Sequence, residues 1–349
     1  MADKVKLGMV GAGFIGQLAH LQNYIEVENC DVVALAEFRP ELRARMGKHY
    51  DIPRLYETHT ELLNDDDIDA VIVVTPRPFT GPTVLDCLNA KKAVLSEKPM
   101  AATIEQARTL VQAAESNSVK YTVGYMKRYD EGVQYAKSYL DKVIESKELG
   151  ELVYARAHCF TGDSYCKADG HLVSSEKPDY SESGWNMWPD WLPEKYRKLY
   201  EVYINTYSHN INLLRYLFGS EPSIEYSRVA VSNGQVVILK FGEISVTLET
   251  GMVSNRGWDE VTEFYFTDGH LKIFTPPALL KNVPARVEIY RAGQEQVMLQ
   301  PQMNWTWAFR RQAQSFVNDI QNGTESISSG ADSYLDVELI ENFWKKDLN

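Results

Sequence analysis

The stretch Val5-Lys6-Leu7-Gly8-Met9-Val10-Gly11-Ala12-Gly13-Phe14-Ile15-Gly16 decides the fold of the N-terminal part of the chain. An apolar strand runs straight into Gly-x-Gly-x-x-Gly, and residues 14–25 then carry a helical pattern. Strand before and helix after separate a dinucleotide site from a chance run of glycines. Gly11 allows the tight turn, Gly13 lets the backbone approach a pyrophosphate, and Gly16 lets helix and strand pack closely. Phe14 and Ile15 open the helix, whose unpaired N–H groups and positive dipole end suit phosphate oxygens.

Outward from this loop, strand and helix signals alternate. Residues 32–36, 70–74, 93–95 and 121–124 read as strands, with helical patterns at 82–89 and 103–117 between them. Continuous apolar strands alternating with helices predict a doubly wound parallel sheet, an α/β Rossmann domain. After about residue 129 the pattern changes. A helix over 133–146 leads to a strand at 152–160, then an irregular aromatic stretch over 161–199. A helix over 203–218 ends at Gly219, a natural C-cap. Period-two strands follow at 244–249, 261–266, 271–274 and 287–290, and helices over 305–321 and 331–346 close the chain. One apolar face per strand predicts an α+β domain with a large, mainly antiparallel open sheet. The expected division is 1–128 for a dinucleotide-binding domain and 129–349 for a domain carrying substrate and subunit contacts, with the last helix packing back on the first domain.

Composition narrows the function classes. The chain has 349 residues, 44% of them hydrophobic, and a formal charge of −12, which argues against binding a phosphate backbone. No apolar run approaches the length of about 20 residues that spans a bilayer, and the start of the chain has no signal-peptide pattern. Four cysteines without a CxxC pair fit a reducing cytoplasm. His158, Cys159, Cys166 and His171 are close in sequence, but their spacing matches no standard zinc module, so no metal is expected.

Glu37 follows the second strand, about 20 residues beyond the glycine loop, where a carboxylate hydrogen-bonds adenosine ribose hydroxyls and repels a 2′-phosphate. It favours NAD over NADP. Arg39 complicates this: a guanidinium there accepts that phosphate or stacks on adenine, or is a solvated residue at a helix start. For chemistry, Ser96-Glu97-Lys98-Pro99 follows a parallel strand at the carboxyl edge, where open α/β sheets bind ligands. A lysine there can stabilise developing alkoxide charge on a substrate oxygen, or simply pair with Glu97.

Taken together, these motifs resemble the Gfo/Idh/MocA oxidoreductases. The resemblance rests on Gly11 to Gly16, on Glu97-Lys98-Pro99, on Val123-Gly124-Tyr125-Met126-Lys127-Arg128-Tyr129, and on Asn205-x-x-x-His209-x-x-Asn212 before Leu213 to Gly219. It implies a Rossmann domain and a C-terminal open sheet that mediates a homodimer or homotetramer. It further implies oxidation or reduction of sugars, aminosugars, inositols or related polyols with NAD or NADP. On these positions Lys98 and His209 become the catalytic pair, with Asn205 beside them. Thr75, Pro76 and Glu97 join the cofactor set; Tyr125 and Arg128 join the substrate set. Histidine suits the proton step because its ordinary proton affinity lies near working pH.

The chain also departs from the family pattern. Asparagine stands at 205 and 212, where many members carry aspartate, and an amide cannot take a proton. Thr75-Pro76-Arg77-Pro78-Phe79-Thr80 replaces the usual Thr-Pro-Asn-x-x-His; Arg77 contacts the cofactor, an anionic substrate group or solvent. The stretch 161–199, with Asp163, Tyr165, Lys167, Trp185, Trp188 and Trp191, is the expected seat of substrate identity, since aromatic faces pack on sugar C–H faces. The alternative is a long loop pinned by its tryptophans. Two other functions stay open: a non-catalytic NAD-binding sugar sensor, and a glycosidase working by NAD-dependent oxidation and elimination.

Overall fold

Strands β1 (Val5–Val10), β4 (Ala70–Val73) and β5 (Ala93–Ser96) are near-continuous apolar runs, as strands covered on both faces must be. In the computed structural model, which describes residues 4–177, 184–254 and 257–349, they form the centre of a six-stranded sheet. Its order is β3-β2-β1-β4-β5-β6, with β2 (Cys30–Ala36), β3 (Arg54–Tyr56) and β6 (Tyr121–Val123), and every pairing is parallel. This is the doubly wound order, whose switch point between β1 and β4 places ligands at the carboxyl ends of the strands.

The helices follow local rules. After the glycine loop a π-helical segment (Gly16–Leu21) runs into a short helix α1 (Gln22–Ile25). Helix α2 (Pro40–Tyr50) starts with proline in its first turn, where the missing N–H costs nothing. A Thr58–Glu61 capping box opens α3 (His59–Leu63), and Thr103 caps α5 (Ile104–Asn117). Helix α4 (Arg77–Asn89) begins earlier than the sequence pattern suggests and carries Pro82 inside it.

The described chain sorts into two units, and both are discontinuous. The first comprises Met1–Tyr125, Asp169–Leu192 and Phe309–Glu338. Helix α8 (Ala308–Asn322) packs Phe316 and Val317 onto Leu7, Ile72 and Leu95 of its sheet. Thus much of the aromatic insertion and part of the C-terminal region belong with the glycine loop. Residues 178–183 of that insertion lie outside the described residues.

The second unit comprises Met126–Ala168, Pro193–Ala308 and Leu339–Asn349. Its eight-stranded sheet runs β14-β13-β12-β11-β7-β10-β9-β8. In chain order these are β7 (Leu152–Thr161), β8 (Ser223–Arg228), β9 (Gln235–Phe241), β10 (Ile244–Met252), β11 (Asp259–Phe266), β12 (Gly269–Phe274), β13 (Arg286–Arg291) and β14 (Val297–Leu299). Only β7 and β10 pair in parallel; the other pairings are antiparallel. On β7, Ala155, Ala157 and Cys159 are buried, while Tyr154, Arg156, His158 and Phe160 on the other face are half-buried. Helix α6 (Glu131–Ser146) packs on β12 and β13, and α7 (Arg197–Phe218) on β7. Helix α9 (Gly330–Leu348) closes the chain; its Trp344 is enclosed by Tyr196, Tyr200 and Tyr203.

Candidate active site

The three glycines of the loop sit in different surroundings. Gly11 has φ 92, and a Cβ there would lie 2.2 Å from the Val74 carbonyl oxygen. At Gly16 a Cβ would lie 2.8 Å from the Gly11 carbonyl oxygen, so helix and strand tolerate no side chain between them. Gly13 is different: a Cβ there would meet nothing within 4 Å. The protein itself does not need a glycine at 13. The open space it leaves at a helix N-terminus is the cradle a pyrophosphate requires, so the loop fits a dinucleotide.

Glu37, at the end of β2, is buried and tied into the loop: its Oε2 accepts the Ala12 N–H at 2.9 Å. Arg39 answers it with a two-pronged contact, Nε to Oε1 at 2.7 Å and Nη2 to Oε2 at 2.9 Å, and its backbone N–H donates to the same carboxylate. Burial pushes the Glu37 carboxyl upward, but the Arg39 and Ala12 donors outweigh it and hold the group below the ordinary glutamate range. The Arg39 guanidinium is thus held on Glu37.

At the end of β4, Thr75 and Thr80 hydroxyls lie 3.1 Å apart, Pro76 caps α4, and Arg77 is its first residue. At the end of β5, Glu97 and Lys98 are half-buried, and the Lys98 N–H donates to Glu97 Oε2 at 3.2 Å. The other Glu97 oxygen meets His20 Nε2 at 2.7 Å. Burial raises the Glu97 carboxyl, but His20 and the Lys98 charge more than offset it and hold the group below its usual value. His20, in the π-helical segment and edge-on to Phe309, carried no sequence signal. Its role depends on a partner far along the chain. Tyr125 closes this stretch, buried.

The insertion contributes backbone and side chains to the same unit. Gln17 exchanges hydrogen bonds with Leu172, donating to its carbonyl at 3.1 Å and accepting its N–H at 2.7 Å. His171 packs edge-on to Phe14, at 4.9 Å between ring centres. Trp185 donates its N–H to the Pro78 carbonyl, and Gln106 holds the Asn186 carbonyl. Part of 161–199 thus lies against the glycine loop and α2. Trp188 is half-buried in this unit.

In the second unit α7 presents Asn205 and His209, both half-buried. Asn212, one turn on, is buried and accepts from Arg128 Nε at 2.7 Å. Arg128 is itself buried and stacks over Tyr216, 5.3 Å from the ring centre, so its guanidinium braces α7. Lys127 is buried against Glu260, and Asn210 donates to the same carboxylate oxygen at 2.8 Å. The Tyr125–Tyr129 motif is thus, in its two cations, largely internal bracing. Asp163 accepts the N–H groups of Tyr165 and Cys166, a local turn that leaves the Tyr165 ring exposed. Elsewhere His158 pairs with Asp259 at 2.9 Å and Cys159 is a buried free thiol.

Residues 5–125 match the model of an oxidoreductase family with an NAD-binding Rossmann fold, GFO_IDH_MocA. An inositol 2-dehydrogenase/D-chiro-inositol 3-dehydrogenase of Lacticaseibacillus casei is 36% identical over 143 residues, 40% of this chain and 41% of that protein. The chain thus spans well under half the length of that relative. Among solved structures, a mutant 3-ketoreductase from Actinomadura kijaniata in complex with TDP-benzene and NADP superposes with TM-score 0.74 at 17% identity. That likeness covers 99% of this chain and 98% of the other. An aldose-aldose oxidoreductase from Caulobacter crescentus complexed with glycerol superposes with TM-score 0.76 at 20% identity, over 99% and 98%. At these identities the structural likeness shows the fold: a Rossmann unit followed by a mixed, mainly antiparallel eight-stranded sheet.

Proposed function

For a chain whose residues 5–125 match the model of the Gfo/Idh/MocA oxidoreductase family, we propose an NAD-dependent dehydrogenase or ketoreductase. Its substrate is a sugar, aminosugar or cyclitol, reacting at a secondary hydroxyl or ketone. One observation carries the reading: the loop is closed by Gly11 and Gly16 and left open at Gly13, with Glu37 anchored beside it. Gly11, Gly13, Phe14, Ile15 and Gly16 would hold the pyrophosphate end, and Glu37 the ribose hydroxyls. Thr75, Pro76 and Glu97 complete the cofactor side. When bound, NAD supplies the hydride acceptor or donor.

The protein's own groups supply the rest. Lys98 hydrogen-bonds the substrate oxygen and stabilises its alkoxide charge. His209 takes the hydroxyl proton in oxidation and returns it in reduction. Asn205 orients a hydroxyl and cannot take its proton, so the relay leans on His209 and Lys98. Asp163, Tyr165 and Trp188, together with Tyr125 and Arg128, are the residues proposed to bind the remainder of the sugar. The half-buried face of the second sheet, with Tyr154, His158 and Phe160, joins subunits into a homodimer or homotetramer. The setting is a reducing cytoplasm, in keeping with four free thiols. Among the described residues no helix is long and apolar enough to cross a membrane.

Lys98→Ala and His209→Ala test the mechanism. Each should lower turnover by about a hundredfold or more while NAD affinity persists. Near-normal turnover in both would refute the assignment.

A further inference from the structure

Helix α2 begins beside Glu37 and Arg39, and its first-turn N–H groups already hold a carboxylate. Glu41 N–H donates to Glu176 Oε1 and Leu42 N–H to Glu176 Oε2, each at 3.0 Å. The acceptor comes from the returning segment, far along the chain. It is not a loose contact: the Ser174 hydroxyl donates to Glu176 Oε2 at 2.9 Å and accepts the Glu176 N–H at 3.1 Å. Arg45 holds the Val173 carbonyl at 2.8 Å, and Leu172 is bound to Gln17 on the glycine-loop helix. Burial raises the Glu176 carboxyl, but the two backbone donors, Ser174 and the charge of Arg39 together keep it below the ordinary glutamate range. Arg39 thus answers two carboxylates, Glu37 by direct contact and Glu176 through its field.

We propose that Glu176 is a built-in anion that fills the place an adenosine 2′-phosphate would need, making it a specificity residue for NAD over NADP. The proposal rests on the dinucleotide reading above and adds a second determinant to Glu37. A 2′-phosphate at the end of β2 is ordinarily held by a nearby arginine, and helix N-terminal N–H groups are its natural further donors. Here the arginine is engaged by Glu37 and the N–H groups by Glu176. A phosphate would have to displace one carboxylate and approach the other, like charge against like charge. A ribose 2′-hydroxyl carries no charge and meets no such barrier.

The test is calorimetric titration of NAD and of NADP into the wild-type protein and into Glu176→Ala and Glu176→Gln. Removing the charge should tighten NADP binding by about tenfold and leave NAD within about threefold. The gain should shrink as salt screens it. Glu176→Gln keeps an acceptor for the α2 donors, so a gain there as well assigns the effect to charge. Unchanged NADP affinity in both variants overturns the inference. So does a parallel loss of NAD and NADP affinity, which would make Glu176 only a tether for its segment. A wild-type protein that binds NADP more tightly than NAD contradicts the NAD reading itself; a wild type that prefers NAD while Glu176→Ala changes nothing contradicts only the role of Glu176.

Discussion

Replacing Gly13 with alanine should leave the protein folded and remove its dinucleotide, whereas the same change at Gly11 should unfold it more easily. The two glycines stand two positions apart in one loop, but their surroundings differ. At Gly11 the backbone has φ 92 and the new Cβ would lie 2.2 Å from the Val74 carbonyl oxygen, a backbone atom that cannot swing aside. The left-handed conformation costs about 1–2 kcal/mol for a residue with a Cβ. With the overlap added, the cost is on the order of 3 kcal/mol. For a unit of this size that lowers Tm by about 6–12 °C. At Gly13 the new methyl would meet nothing within 4 Å, so no native contact is strained. Reduced freedom of the unfolded chain should even stabilise Gly13→Ala by about 0.4–1 kcal/mol. Its methyl would still occupy the space the pyrophosphate needs, so NAD affinity should fall about tenfold or more, about 1.4 kcal/mol. Scanning calorimetry of the ligand-free variants and titration with NAD read the two effects separately. A Gly13→Ala protein that loses as much Tm as Gly11→Ala, or that binds NAD normally, would refute the reasoning.

Two further predictions concern charge. The Glu37 carboxyl titrates lower in the folded protein than in the unfolded chain, so the unfolded state binds more protons between the two values. Its stabilising contribution is complete above the ordinary glutamate value of about 4.3 and is lost as pH falls through the folded value. Glu37→Gln should therefore flatten the acid limb of Tm against pH; an unchanged limb would contradict it. Lys127→Met leaves Glu260 buried without its cation and should cost about 3–5 kcal/mol in urea unfolding. Lys127→Met with Glu260→Gln should recover part of that loss, and equal stability of single variant and wild type would be contrary.

The Rossmann unit was legible because its signals are local. A buried parallel strand such as 70–73 is a bare apolar run, and the glycine spacing fixes the turn and helix after β1. The edge strands β3, β8 and β14 carry no such run, whereas β9 lies inside the second sheet and its run Val236-Val237-Ile238-Leu239 is a strand signal in the sequence. Helix α7 begins at Arg197, ahead of the pattern from 203, because Tyr200 is buried against Trp344, more than a hundred residues away. In the site, the position of Glu37 was legible; its bonds to Ala12 and Arg39 were not. The aromatic density of 161–199 drew attention to its tryptophans. The contacts that bind the segment to the first unit are quieter: a glutamine on Leu172, a carboxylate on α2, a backbone bond from Trp185. Such contacts join residues distant in sequence and leave no periodicity. The same holds for His20 and Glu97.

The most direct measurement of the central claim is NADH absorbance in both directions with a panel of sugars, aminosugars, sugar phosphates and inositols. The account predicts net NADH formation from at least one polyol and NADH consumption by the corresponding ketone. Tight NAD binding without turnover on any member would contradict it and favour a sensor. Glycosidic cleavage without net NADH would contradict it in favour of oxidation and elimination.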